Sequence, residues 1–136
     1  MGAVKGLGLV DATESGAIDT VERWALALEA RDWAALGELF APGATYVSAA
    51  QGELDHLLRH FRMTCRVWQQ VVLEIDRPWA EGRAGVGAAV VWGRYRFNGQ
   101  DRDGVGMSYL AAATFVLEQA GGRWQITRFH ESYLPD

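Results

Sequence analysis

Residues 20–49 read TVERWALALEARDWAALGELFAPGATYVSA, and the fold turns on how that stretch divides into elements. Ile18, Val21, Ala25 and Leu28 recur at three- and four-residue steps with Trp24 at their edge, while Glu22, Arg23 and Glu29 fall elsewhere. That spacing predicts an amphipathic helix with one buried face. After Ala30-Arg31, Asp32 is placed to cap a second, shorter helix carrying Leu36, Leu39 and Phe40. Ala41-Pro42-Gly43 ends that helix, because proline disfavours helical geometry in the residue before it and glycine accepts backbone angles that others resist. Residues 44–48 then have the β-branched and aromatic content of a strand.

Upstream, residues 1–12 are glycine-rich and aperiodic and are expected to form a flexible lead, with Thr13 or Ser15 capping the first helix. Residues 13–136 then make one domain. Downstream, Ala50-Gln51-Gly52 loops into a third helix from Glu53 to about Cys65, with Leu54, Leu57, Leu58, Phe61 and Cys65 along one line. From Val67 the period changes to two, and Arg77-Pro78 should end or bulge the strand it begins. Glu81-Gly82-Arg83 is expected to be a turn. The next strand, residues 86–97, sets Val86, Val90, Trp92 and Arg94 against smaller residues, and Asn98-Gly99 is a strong hairpin signal. A long strand over 105–118, a turn at Ala120-Gly121-Gly122 and a last strand over 124–133 complete the chain.

Three helices followed by four antiparallel strands, the first strand left at an edge, define an α+β fold. Three N-terminal helices pack on a strongly curved, mostly antiparallel sheet, forming a cone with an internal pocket. Glycines within the strands suit such bending.

The chain of 136 residues is long enough for one core and too short for two. Its 17 acidic residues outnumber 13 basic ones, for a net charge of −4, so no electrostatic footprint for nucleic acid exists. Cys65 is the sole cysteine, which excludes an intrachain disulfide and a cysteine-rich zinc site. No apolar run approaches a membrane span, and the first ten residues are too short and weakly apolar for a secretory signal. A soluble cytoplasmic protein with no nucleic-acid or membrane partner is expected.

The order helix, R-D-W turn, short helix ending L-F-A-P-G-A and strand resembles the opening of the nuclear-transport-factor-2-like superfamily. That superfamily includes ketosteroid isomerase, SnoaL-like polyketide cyclases and a kinase association domain. Gly122-Arg123-Trp124-Gln125-Ile126, followed by Phe129-His130-Glu131-Ser132, resembles its last strand, so the likeness runs from about Ala17 to Leu134. On ketosteroid isomerase, the helix-one oxyanion tyrosine falls on Trp24, the catalytic aspartate on Ser48 and a second acid near Thr114. The isomerase machinery is therefore missing. The resemblance implies a last strand with Gln125, Thr127, Phe129 and Glu131 facing the cavity and Trp124, Ile126, Arg128 and His130 facing out.

A carboxyl at Glu131, buried in an apolar cone, would have its pKa raised by desolvation and become a usable base or acid near neutral pH. Arg94, on the strand face shared by Val90 and Trp92, offers the opposing reading: an ion pair that keeps Glu131 charged and structural. His56 and His60, four apart on the third helix, have metal-ligand spacing without an acidic partner motif and read as a surface pair. Cys65 reads as a small core residue. Trp24, Phe40, Tyr46, Phe61, Trp68, Trp92, Tyr109 and Phe129 fall on faces expected to point inward. They either fill the cone or line a pocket for a flat apolar molecule.

On the second reading Glu131, Arg94 and Tyr46 are the catalytic candidates. Trp24, Phe40, Ser48, Phe61, Trp68, Val90, Trp92, Tyr109, Thr127 and Phe129 would contact substrate, with no cofactor and no metal. The resemblance implies a cofactor-independent cyclase, isomerase or dehydratase acting on a polycyclic or polyketide-like metabolite of bacterial secondary metabolism. A non-catalytic sequestration protein or a dimeric assembly domain is the alternative. A homodimer through the outer sheet face is expected, with Val91, Tyr95 and Phe97 on that face.

Overall fold

The computed structural model describes residues 12–48, 51–67, 70–83 and 87–134; Trp68 and most of the expected N-terminal lead lie outside them. In chain order the elements are α1 (Ala12–Ala30), α2 (Trp33–Glu38), β1 (Phe40–Val47), β2 (Gln51–Glu53), α3 (Leu54–Val67), β3 (Gln70–Arg83), β4 (Ala88–Gln100), β5 (Gly106–Ala120) and β6 (Arg123–Leu134). The strands form one sheet in the order β2-β1-β6-β5-β4-β3, antiparallel except for the parallel β1–β6 pair. Three helices pack on this sheet, which is curled but not closed.

The curl has local causes. Register shifts interrupt β1 between Phe40 and Thr45, β3 between Asp76 and Trp79, and β5–β6 between Val116 and Leu117. Each such bulge bends its strand and sharpens the twist. The β3 bulge spans Arg77-Pro78, where a residue without an N–H cannot continue the ladder. The β5–β6 hairpin closes on Gly121 (φ 60°) and Gly122 (φ 78°), the left-handed pair that a tight two-residue turn requires.

The helical hairpin follows its local chemistry. Asp32 Oδ1 accepts from Ala35 N at 3.1 Å, as expected of the cap of α2. Arg31 holds φ 54°, the left-handed position that ends many helices. Its N–H donates to Leu28 O at 3.1 Å, and its guanidinium donates to Cys65 O at 3.2 Å at the end of α3, tying the hairpin to the third helix.

The core lies between α1, α3 and the concave sheet face. Ala17, Val21, Trp24 and Leu28 form the buried stripe of α1, with Trp24 fully buried at its centre rather than at its edge. Its indole meets Phe61, Tyr95 and Phe115 edge-on, with ring centroids 6.1, 5.5 and 5.1 Å away, and tilts against Phe129 at 5.7 Å. Ala111 and Ala113 on β5 leave room for these rings. At the start of α1, Gly16 allows a close approach: a Cβ there would stand 2.6 Å from Trp124 Nε1.

Several expectations need correction. Phe40 opens β1 rather than closing α2, and β1 lies inside the sheet because β2 covers its free edge. Glu81-Gly82-Arg83 belongs to β3, and Asn98-Gly99 continues β4; the chain turns at Asp101, whose Oδ1 accepts from Asp103 N and Val105 N at 2.9 Å. The faces of β4 are the reverse of those expected. Ala89, Val91, Tyr95 and Phe97 are buried, whereas Trp92 is 37% exposed and Arg94 is exposed on the other side. Both faces of this strand carry large apolar residues, so alternation alone does not tell them apart.

Candidate functional site

The ends of β1 and β6 run side by side, with Tyr46 beside Phe129 and Val47 beside His130. This parallel pairing brings Ser48, just past β1, to Glu131: Ser48 Oγ donates to Glu131 Oε1 at 2.8 Å. Glu131 is 6% exposed and sits opposite Ala113 on β5, whose small side chain leaves it space. Burial pushes its carboxyl above the ordinary value, and hydrogen bonds from Ser48 and Tyr133 pull the other way. The groups acting on Glu131 are thus neutral hydroxyls, not the Arg94 guanidinium of the opposing reading.

Glu131 faces a cavity of about 10 Å³ bounded by Leu28, His60, Phe61, Thr64, Cys65, Tyr95, Phe97 and Tyr109. That space holds about one water molecule. Tyr109, stacked on Phe97 with ring planes 5° apart, has a phenol pushed far above its usual range, chiefly by burial. Burial also raises the Cys65 thiol, so it stays protonated and acts as the core residue expected.

A second cavity of about 10 Å³ lies on the other side of Tyr95, bounded by Val21, Trp24, Val91, Gly93, Arg94, Ala113 and Phe115. Trp24 Nε1 is the buried side-chain donor without a hydrogen-bond partner among the described residues. Leaving such a donor unpaired costs about 1–3 kcal/mol. The cone thus contains a buried acid at one cavity and an unanswered N–H beside the next.

The sequence-derived candidates divide accordingly. Glu131, Ser48, Phe61, Tyr109 and Phe129 converge at the acid's end, with Tyr46 adjacent and Trp24 at the centre. Phe40 is buried at the far end of β6, paired with Ile126. Thr127 spends its hydroxyl on Val116 O at 3.1 Å. The bulge there skips Thr127, so Ile126 is buried although the resemblance implied an outward side chain. Val90, Trp92 and Arg94 do not share the face of Glu131, for the parity reason above.

His60, read as half of a surface pair, is instead half-buried and borders the acid's cavity, and Tyr133, which the sequence reading passed over, acts directly on Glu131. Their signals were present: His60 adjoins Phe61 on the apolar line of α3, and Tyr133 shares the parity of Glu131.

The cone has the nuclear-transport-factor-2-like fold, and solved structures agree. A superfamily member from Salmonella enterica matches at TM-score 0.79 and 18% identity, covering 91% of this chain and 92% of that one. A hexachlorocyclohexane dehydrochlorinase from Novosphingobium barchaimii matches at TM-score 0.78 and 11% identity, covering 91% and 88% of the two chains. A ketosteroid isomerase-like protein from Erwinia carotovora atroseptica matches at 0.75 and 14%, covering 93% and 100%. At these identities the likeness is one of fold. Within that class, the sequence profile of the SnoaL-like domain matches residues 18–136, and the chain belongs to that family. Among curated protein sequences none matches it significantly.

Proposed function

We propose that this protein is a cofactor-independent acid–base enzyme that moves a proton on a small apolar carbonyl compound of the polycyclic or polyketide-like kind. The observation that carries this reading is Glu131, a buried carboxyl held by Ser48 and facing an aromatic-walled cavity. Glu131 takes the proton from the carbon beside the carbonyl, and the burial that raises its pKa makes it a stronger base than an exposed carboxylate. The Trp24 N–H is the donor offered to the carbonyl oxygen as negative charge develops there. Tyr46 supports the wall through Phe129 and α3; Arg94, on the other sheet face, has no part in the step. Substrate entry requires the rings around Tyr95 to part, joining the two small cavities.

Hydrogen–deuterium exchange at the α-carbon of 2-tetralone in D2O, read by mass spectrometry, tests this. The wild-type protein should accelerate exchange above buffer, and Glu131→Gln should lose at least about 100-fold of that acceleration. Equal exchange by the two proteins sinks the reading. Tight binding of the ketone without exchange replaces the enzyme with a sequestration protein.

The chain is read as a cytoplasmic homodimer joined through the outer sheet face, where Trp92 is 37% exposed between the partly buried Val90 and the exposed Arg94. Trp92→Glu should convert a sedimenting dimer to monomer; a wild-type monomer at micromolar concentration removes the assignment. Among the described residues no helix is long and apolar enough to cross a membrane.

A further inference from the structure

His60 faces Glu131 across the same cavity, on α3 rather than on the sheet. The ring is held in place. It stacks on Tyr46 at 20° with centroids 6.5 Å apart and tilts against Phe61 at 6.0 Å. Tyr46 is fixed in turn by a hydrogen bond between its hydroxyl and His56 Nδ1, one helical turn before His60. Gly52 makes that seat possible, since a Cβ there would lie 3.0 Å from His56 Nδ1 and 3.2 Å from its Cβ. A strand tyrosine and two histidines of α3 therefore form one ordered group that ends at the acid's cavity.

Resting on the proposed role of Glu131, we propose that His60 is the second proton-handling group of this site, exchanging a proton with Glu131 through the one water the cavity admits. Glu131 collects a proton as an O–H bond. That proton passes to the water while the water gives one of its own to the imidazole, forming an N–H bond. No electrons are gained or lost, and the imidazolium then delivers the proton to an atom of the substrate on the α3 side. A single carboxyl returns a proton only within its own reach; the pair spans the cavity.

The surroundings favour this exchange. The titratable groups near His60 are His56 and Cys65 on α3, Tyr46 on β1, Tyr95 on β4, Tyr109 on β5 and Glu131 on β6, while α1 presents Leu28. Burial, followed by His56, lowers the His60 imidazole, whereas burial raises the Glu131 carboxyl. The two affinities approach each other from opposite sides, the condition under which a proton can rest on either group.

The test is an NMR titration of the His60 Cε1 and Glu131 Cδ signals in the full chain, in wild type, Glu131→Gln and His60→Gln. Coupling predicts that E131Q lowers the His60 midpoint, and H60Q moves the Glu131 midpoint, by roughly half a pH unit or more. Midpoints unchanged by these replacements overturn the proposal, and the E131Q arm decides alone if H60Q does not fold. In the 2-tetralone assay H60Q should slow exchange about tenfold, within the range of one acid–base group. An H60Q protein as fast as wild type beside an inactive E131Q overturns the relay and leaves Glu131 as base. An active E131Q instead removes the reading on which the relay rests.

Discussion

Trp24→Ala should lower the free energy of unfolding by about 3–5 kcal/mol, the range for deleting a buried large aromatic. The indole is fully buried and meets four aromatic rings, from α3, β4, β5 and β6. Its removal opens a void between both small cavities, and the rings around it cannot close that void without leaving the sheet. Trp24→Phe should lose far less. Phenylalanine gives up volume but also removes the unpaired N–H, and the second change is worth about 1–3 kcal/mol in the opposite direction. Urea unfolding of the three proteins measures the contrast. A loss for Trp24→Phe as large as its missing ring volume alone predicts would show that the buried N–H carries no penalty, and its assignment as a donor awaiting a ligand would fall with it.

Glu131→Gln should raise stability at neutral pH while abolishing proton transfer. The folded-state pKa of Glu131 lies above its ordinary value of 4.5. At pH well below 4.5 the carboxyl is protonated in both folded and unfolded chains and contributes no difference. Between 4.5 and the raised folded value the unfolded chain has released this proton and the folded one has not, so stability declines as pH rises. Above that window the loss is complete, at about 1.4 kcal/mol for each unit by which the pKa is raised. Glutamine stays neutral throughout, so the variant's advantage should vanish in acid and grow as pH rises above 4.5. His60 acts with the opposite sign: its folded pKa lies below 6.5, and stability is lost as pH falls below 6.5. Because His60 is present in both proteins, melting temperatures compared at several pH values isolate Glu131 to first order. A variant less stable than wild type at pH 7.5 would mean that the bonds from Ser48 and Tyr133 outweigh burial.

The readings that stood were those in which a residue acts on its own neighbours. Asp32 caps α2 because its side chain reaches the N–H three residues on, and Gly121-Gly122 turns because both hold positive φ. Pro78 disrupts β3 whatever the strand packs against. Phe129 and Glu131 point inward as the family likeness implied, even though a bulge at Thr127 reverses the order just before them.

The faces of β4 were not legible, since Val90 and Trp92 on one side look as apolar as Val91, Tyr95 and Phe97 on the other. Alternation defines two faces; only the helix laid across the sheet says which is covered. Arg94 was drawn toward Glu131 by that ambiguity.

Sequence alone thus determined the order of most elements, the cap of α2 and the breaks at Pro78 and Gly121-Gly122, because these depend on short-range sterics and hydrogen bonds, while the family likeness supplied the inward carboxyl. Tertiary structure chose the partners: Ser48 meets Glu131 across 83 residues through a parallel strand pair, and His60 reaches the same cavity from a helix. Such contacts arise from how distant surfaces bury one another, and no local spacing encodes them.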